Sequence, residues 1–146
     1  MKIVAQNRRA RYDYDIVDTL EAGISLTGQE VKSCRMGNIN LGGSYVSLVS
    51  GKPVIKGMKI AKYNFASNIE GYEPGRDRIL LIKKREIEKI TSSLAEKGVS
   101  LIPLEVKAGR HIKVILGMGK GKKRHDKRQS KKEKDIGRRL KEGRDI

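Results

Sequence analysis

The sequence predicts a mostly β domain, a small and mainly antiparallel barrel with two short helices packed on it, continued by a basic C-terminal arm. Three observations carry this reading. Aromatics are scarce, with five Tyr, one Phe and no Trp, so the core must be built from Ile, Val and Leu, which suits strands. Short apolar runs alternate with polar residues and are punctuated by Gly, Pro and Asn, twice in a hairpin pattern. Finally, residues 120–146 hold thirteen Lys or Arg against five Asp or Glu, and only Ile136, Leu140 and Ile146 there are large and apolar. Such a segment cannot recover its ordering entropy by burying itself. Closure into a barrel is favoured over an open sheet because it removes edges that so few guards would protect. The length of 146 residues suits one folded body, residues 1–119, carrying the arm, residues 120–146.

Residues 1–11 read as an irregular basic lead-in, ordered where Ile3 and Val4 find apolar contact. Tyr14 to Leu20 alternates, breaks at Glu21-Ala22-Gly23 and resumes at Ile24-Ser25-Leu26, as two short strands or one bulged strand. Thr27-Gly28-Gln29-Glu30 is a capping box that starts a short helix to about Arg35, and Gly37 ends it at positive φ. Ser44 to Val49 and Val54 to Ile60 form a hairpin about the turn Ser50 to Pro53. Ala61 to Arg78 is a loop long enough to suggest a function. Ile79 to Ile82 is a buried strand. Lys84 to Lys97 is a helix with Ile87, Ile90 and Leu94 on one face, closed by Gly98. Leu101 to Lys107 and His111 to Met118 form the last hairpin, turning at Ala108 to Arg110. The total is about six strands and two helices, without an internal repeat.

The net charge is +16. Residues 1–119 carry twenty basic and twelve acidic side chains, and residues 120–146 thirteen and five, so each part contributes +8. A solubilising tail alone does not account for a body that is equally basic, whereas a protein that neutralises phosphates needs such charge. Nucleic acid is the leading partner, well ahead of an anionic membrane. Few aromatics argue against a base-stacking platform. Apolar runs are too short to span a bilayer, and the N-terminus lacks the apolar core of a secretion signal, so the expected location is the cytoplasm. The single cysteine, Cys34, agrees with that compartment and excludes an internal disulfide.

An enzymatic reading finds no support. His111, in a strand position, reads as structural, and His125 lies in the arm. Gly117-Met118-Gly119-Lys120-Gly121-Lys122 resembles a phosphate cradle superficially but lacks the Ser or Thr that would hold magnesium. No metal site and no cofactor are expected. Within the arm, Ser130-Lys131-Lys132-Glu133 is a second capping box, and residues 131–142 can be written as a helix with ion pairs at helical spacing. A helix of about twelve residues is marginal alone and should form against a polyanion. Fully extended, the arm reaches roughly 90 Å.

The residues also carry a family resemblance. Glu21-Ala22-Gly23-Ile24 leads through Leu26 and Gly28 to Glu30-Val31-Lys32-Ser33 and Arg35. Arg76-Asp77-Arg78 is followed by Leu80-Leu81 and Lys84-Arg85-Glu86-Ile87, and Gly121-Lys122-Lys123 by Asp126-Lys127-Arg128. With Asn7, Ala10 and Tyr14 at matching positions, the chain resembles the small protein B family, the SsrA-binding proteins that carry transfer-messenger RNA to stalled ribosomes. Cys34, Lys59 and Lys83 depart from the family's usual residues.

The resemblance implies a closed six-stranded antiparallel barrel related to the oligonucleotide-binding fold. It implies a protein, monomeric when free, that binds transfer-messenger RNA and the ribosomal RNA of the decoding centre and messenger channel. The body would stand in for the missing anticodon arm, and the tail would probe the empty messenger channel and become helical there. It has no turnover site of its own. For the body it implies RNA contacts by Asn7, Arg9, Arg11, Tyr14, Glu30, Lys32, Arg35, Arg76 and Arg78. Read from the residues alone, Glu30 is equally a helix cap, Arg9, Arg11, Lys32 and Arg35 are equally solvated charges, and Asp77 can pair with Arg76 or Arg78. Lys122, Lys123 and Arg124 would clamp RNA at the junction. Asp126, Lys127, Arg128, Lys131, Lys134, Arg138 and Lys141 would sense the ribosome, with Asp126 orienting its two basic neighbours. The competing reading is a structural ribosomal RNA-binding protein with its tail threaded permanently into ribosomal RNA.

Overall fold

The structure, a computed structural model, describes residues 2–63 and 71–121. Its frame is three long strands, β2 (Tyr14–Ile24), β8 (Val99–Ala108) and β9 (Ile112–Gly121). Around them stand β1 (Lys2–Gln6), β3 (Ile39–Asn40), β4 (Tyr45–Val49), β5 (Lys52–Lys56), β6 (Lys59–Ile60) and β7 (Arg78–Leu81). Three helices complete the described residues: α1 (Arg8–Asp13), α2 (Gly28–Arg35) and α3 (Lys84–Leu94).

The expected closed six-stranded barrel is not what forms. Seven antiparallel strands make one open sheet in the order β1-β8-β9-β2-β7-β5-β4, and β3 and β6 pair separately. The end strands β1 and β4 do not pair with each other, so the sheet does not close. The physical reason lies at the edge of β8. Pro103 has no N–H to give a neighbouring strand, and the Asn7 side chain donates to the Pro103 carbonyl at 2.9 Å. The Asn7 amide takes the Leu104 carbonyl at 2.7 Å. The start of α1 therefore caps this edge instead of leaving it for β4. A cleft of about 480 Å³ lies between them, lined by Ala10, Tyr45, Val46, Leu94, Leu101 and Ile102 among others. The edges that closure was expected to remove are instead short, five residues in both β1 and β4, which limits pairing with other chains.

The lead-in is ordered. β1 pairs with β8 in a register that sets Lys2 opposite Ala108 and Gln6 opposite Glu105, and Asn7 caps α1 by accepting from the Ala10 amide at 3.2 Å. Two glycines let β8 and β2 settle closely against β9. A Cβ at Gly117 would stand 2.8 Å from Leu104 Cδ1, and one at Gly119 would stand 2.9 Å from Tyr14 Cβ. The cradle-like glycine run is therefore strand, not phosphate loop. β2 is one strand, and its irregularity falls between Ile16 and Asp18, not at the expected break around Ala22. The turn of the first hairpin uses Ser50 and Gly51, both at positive φ, as a two-residue connection requires. Its return strand stops at Lys56, after which β6 pairs with β3, an element the sequence reading lacks. β7 is not buried throughout: Arg78 and Leu80 face inward while Ile79 and Leu81 are exposed.

The core is aliphatic, as the composition requires. Ile55, Ile60, Ile90, Val114 and Leu116 are fully enclosed, and Ile90 anchors α3 through the face that its spacing predicted. No helix among the described residues is long and apolar enough to cross a membrane.

Candidate nucleic-acid interface

The capping box at Thr27 forms as predicted: the Thr27 side chain accepts from the Glu30 amide and the Glu30 carboxylate accepts from the Thr27 amide. Glu30 does far more than cap. It is fully buried, and its carboxylate also receives both arginines of the Arg76-Asp77-Arg78 segment. Arg78 Nε donates to Oε2 at 2.7 Å. Arg76 Nε donates to the same oxygen at 3.2 Å, and Arg76 Nη2 donates to Oε1. Burial alone would raise the Glu30 pKa. The hydrogen bonds from Arg76, the Thr27 amide and Arg78 outweigh it and hold the carboxyl at about 2.

Arg78 is itself enclosed, at 1 % exposure. Its Nη1 donates to the carbonyls of Met58 and Arg76 at 2.9 and 3.0 Å, and its Nη2 to the Pro74 carbonyl at 2.9 Å and the Tyr72 hydroxyl at 3.4 Å. All five N–H groups of the guanidinium are thus engaged within the protein. The Tyr72 hydroxyl donates in turn to the Ile60 carbonyl at 2.7 Å, while the Ile60 amide reaches the Pro74 carbonyl at 3.0 Å. These bonds close the neck of the long loop and bolt it to α2. The partner of Arg76 and Arg78 is Glu30 rather than the intervening Asp77, whose carbonyl alone receives Arg76 Nη1.

The other predicted contacts divide between two ends of the sheet. At one end stand Arg9, Arg11 and Tyr14. Arg9 is paired with Asp13 at 3.2 Å and lies over the Tyr12 ring at 5.2 Å. Arg11 is exposed. Tyr14 packs on the small cluster of Ala10, Ile102 and Leu104 and sits opposite Gly121, where the described chain ends. Asn7, also at this end, is buried and occupied by its cap and its bond to β8. At the other end, α2 presents Lys32, whose Nζ lies 5.4 Å from the Tyr63 ring centroid. Arg35 donates to the Gly109 and Arg110 carbonyls at 2.8 and 3.3 Å. Tyr14 and Ile24 mark the two ends of β2, roughly 33 Å apart along the strand.

Sequence reasoning assigned no site role to three residues that the fold brings beside Arg35, reading His111 as structural. Arg110, His111 and Lys113 line a cleft with Gly23 and Leu81, and Leu81 is 61 % exposed. The missing signal was the β2–β7–β9 register, which sets Gly23 opposite both Leu81 and Lys113. His111 is an exposed residue preceding β9, not a strand residue. Of the residues that depart from the family pattern, Lys59 and Lys83 are exposed and Cys34 is buried, its thiol pushed up to about 12 by burial. Among the described residues no group of three or more His, Cys, Asp or Glu is placed to hold a metal. Lys122, Lys123, Arg124, Asp126, Lys127, Arg128, Lys131, Lys134, Arg138 and Lys141, together with the helix expected over residues 131–142, lie outside the described residues.

Comparison with known proteins gives a concordant picture. A family model described as SmpB protein matches residues 4–144. An SsrA-binding protein of Acetivibrio thermocellus is 47 % identical over 147 aligned positions, covering 97 % of this chain and 94 % of the relative. One of Prochlorococcus marinus is 44 % identical over 141, covering 96 % and 86 %. The fold is similar to a solved chain described as "tmRNA-SmpB: a journey to the center of the bacterial ribosome", with TM-score 0.69 and 37 % identity over 85 % of this chain and 87 % of that one.

Proposed function

The chain belongs to the SmpB family, and from that premise we propose that it binds transfer-messenger RNA and delivers it to stalled ribosomes for trans-translation. The observation that carries this reading is the family match along residues 4–144, which takes in the basic arm as well as the sheet. The protein acts as an adaptor in the cytoplasm, and the bond-making chemistry belongs to the ribosome.

Within this reading the body divides its labour. Lys32, Arg35 and Arg76 at one end, and Arg9 and Arg11 at the other, present charge to RNA phosphates. Arg110 and Lys113 join the first group, because they line one cleft with Arg35. Asn7, Glu30 and Arg78 act from beneath the surface, and half-buried Tyr14 from its packing on Ala10, Ile102 and Leu104, by fixing the elements that carry those charges. Lys122, Lys123 and Arg124 continue the RNA contact from the point where β9 ends. Beyond them the arm, with Asp126, Lys127 and Arg128 and the basic positions Lys131, Lys134, Arg138 and Lys141, probes the empty messenger channel and folds there against ribosomal RNA.

Two measurements test this. Filter binding of transfer-messenger RNA should weaken by roughly 10³ to 10⁵ between 50 and 200 mM salt if six to ten phosphates are neutralised, and a flat response removes the electrostatic account. On ribosomes stalled without a stop codon, a protein with Asp126, Lys127 and Arg128 all changed to Ala should bind the RNA nearly normally yet fail to support peptide transfer to its alanine. Equal rescue by the intact and triple-variant proteins removes the sensing role of the arm.

A further inference from the structure

The knot around Glu30 contains one carboxylate and two guanidinium groups, so a charge of +1 remains after pairing. Arg78 is sealed in the core, with its side chain fully buried, whereas the Arg76 side chain is 36 % exposed. The uncompensated charge therefore reaches the surface through Arg76. One edge of that guanidinium, Nε and Nη2, is fastened to Glu30. On the remaining nitrogen, Nη1, the bond to the Asp77 carbonyl is long at 3.3 Å and solvent-exposed.

A surface arginine ordinarily loses rotamer freedom when it binds an anion, and a fork already held in place loses less. The geometry points to Glu30 as a positioning residue that never touches RNA: it holds Arg76 as a rigid, preformed site for an RNA phosphate. This deepens the RNA-binding reading above and rests on it. It also replaces the expectation that Glu30 accepts hydrogen bonds from RNA, since a fully buried carboxylate already engaged by Thr27, Arg76 and Arg78 has no surface to offer.

Glu30→Gln separates the two physical possibilities by sign. The substitution makes the protein more positive by one charge, so charge alone predicts tighter binding to a polyanion. Loss of positioning predicts weaker binding, because the Gln amide nitrogen cannot accept from a guanidinium and Arg76 is released. Should Glu30→Gln melt too low to assay, Arg76→Lys and Arg76→Ala decide the matter, since Glu30 keeps its bond to Arg78 in both. Lys keeps the charge but cannot be held by one edge while presenting another.

The experiment measures transfer-messenger RNA binding by the full chain at several salt concentrations, with thermal melting as a control on folding. The expected result is that Arg76→Lys and Arg76→Ala both weaken binding roughly 10- to 100-fold, the size of a charged hydrogen bond. Arg76→Ala should also lower the salt slope by about one phosphate contact. Arg76→Lys binding like the intact protein, or Glu30→Gln binding tighter, overturns the inference while leaving the RNA-binding reading intact. Absence of salt-sensitive binding by the intact protein overturns both.

Discussion

Acid is the perturbation that most directly probes the Glu30 knot. Its carboxyl is held at about 2, against an ordinary value of 4.5. Because the folded state depresses the pKa, the stabilisation is complete above about pH 4.5 and is lost as the pH falls from there through about 2. Over that interval unfolding takes up a proton that the native carboxylate refuses, and the linked loss is about 3 kcal/mol, an order-of-magnitude figure. That is a large fraction of the 5 to 15 kcal/mol that stabilises a typical domain. Glu30 is fully buried, so solvent screening does not reduce this contribution as it does for surface pairs.

The assay is urea unfolding of the intact protein and of Glu30→Gln at intervals between pH 7 and pH 2. At neutral pH the variant should be less stable, because it leaves two buried or half-buried guanidinium groups without their counter-charge. Between about pH 4.5 and 2 the intact protein should lose stability more steeply, by up to about 1.4 kcal/mol per pH unit, and the two curves should converge. The exposed pair of Asp18 and Lys89 at 2.8 Å remains in both proteins and contributes equally. Parallel curves across this window would refute the claim that the Glu30 ionisation is coupled to folding.

Three further outcomes follow from the packing. Asn7→Ala removes the α1 cap and leaves the Pro103 carbonyl without its side-chain donor, so it should cost roughly 2 to 4 kcal/mol in chemical denaturation; a change below about 0.5 kcal/mol would show that water replaces both bonds. Gly119→Ala should lower the melting temperature through a clash with Tyr14 Cβ at 2.9 Å, at roughly 1 to 3 kcal/mol, whereas Gly121→Ala, with nothing within 4 Å, should be near neutral. Cys34, buried and with its thiol pushed up to about 12, should resist thiol reagents at pH 8 until urea unfolds the chain; labelling at the rate of a free thiol in native buffer would contradict its enclosure.

What the sequence made legible was local. The box at Thr27, the positive φ of Gly37 and the apolar face of α3 each depend on a few neighbouring residues and are found where their chemistry placed them, while the turn expected over Ser50 to Pro53 tightens to Ser50-Gly51. What it hid depends on residues distant in the chain. β1 exists because Lys2 to Gln6 finds β8 about a hundred positions later, and β3 because two residues find β6. Neither strand has a period of its own to announce it. The open edge has the same origin: Pro103 and Asn7 are unremarkable in their own segments and decide closure only when brought together. Among the candidate RNA contacts, the family resemblance supplied the set, and neither it nor charge shows which side chains the fold buries. Arg76 and Arg78 are chemically identical and two positions apart, yet Arg78 opens β7 with its side chain enclosed, whereas Arg76 precedes the strand in the loop neck and stays partly exposed.

The division between buried and exposed groups also bears on how an adaptor of this size can work. β2 runs eleven residues as one strand with a single irregularity between Ile16 and Asp18, paired with β9 along most of its length and with β7 at Gly23 and Ile24. It joins α1 at one end to the α2 end at the other through a hydrogen-bonded frame rather than a hinge. At the α1 end, Asn7 caps the helix that carries Arg9 and Arg11, and the described chain ends at Gly121 opposite Tyr14. At the α2 end, Glu30 and Arg78 fix the helix and loop neck that carry Lys32 and Arg76. Each group of exposed charges thus rests on buried polar residues of its own, and the sheet between them sets their separation. On the RNA-binding reading proposed above, that separation must stay constant. Here it is supplied by strand geometry, and the buried polar groups that cost most to enclose lie where the exposed charges must be held still.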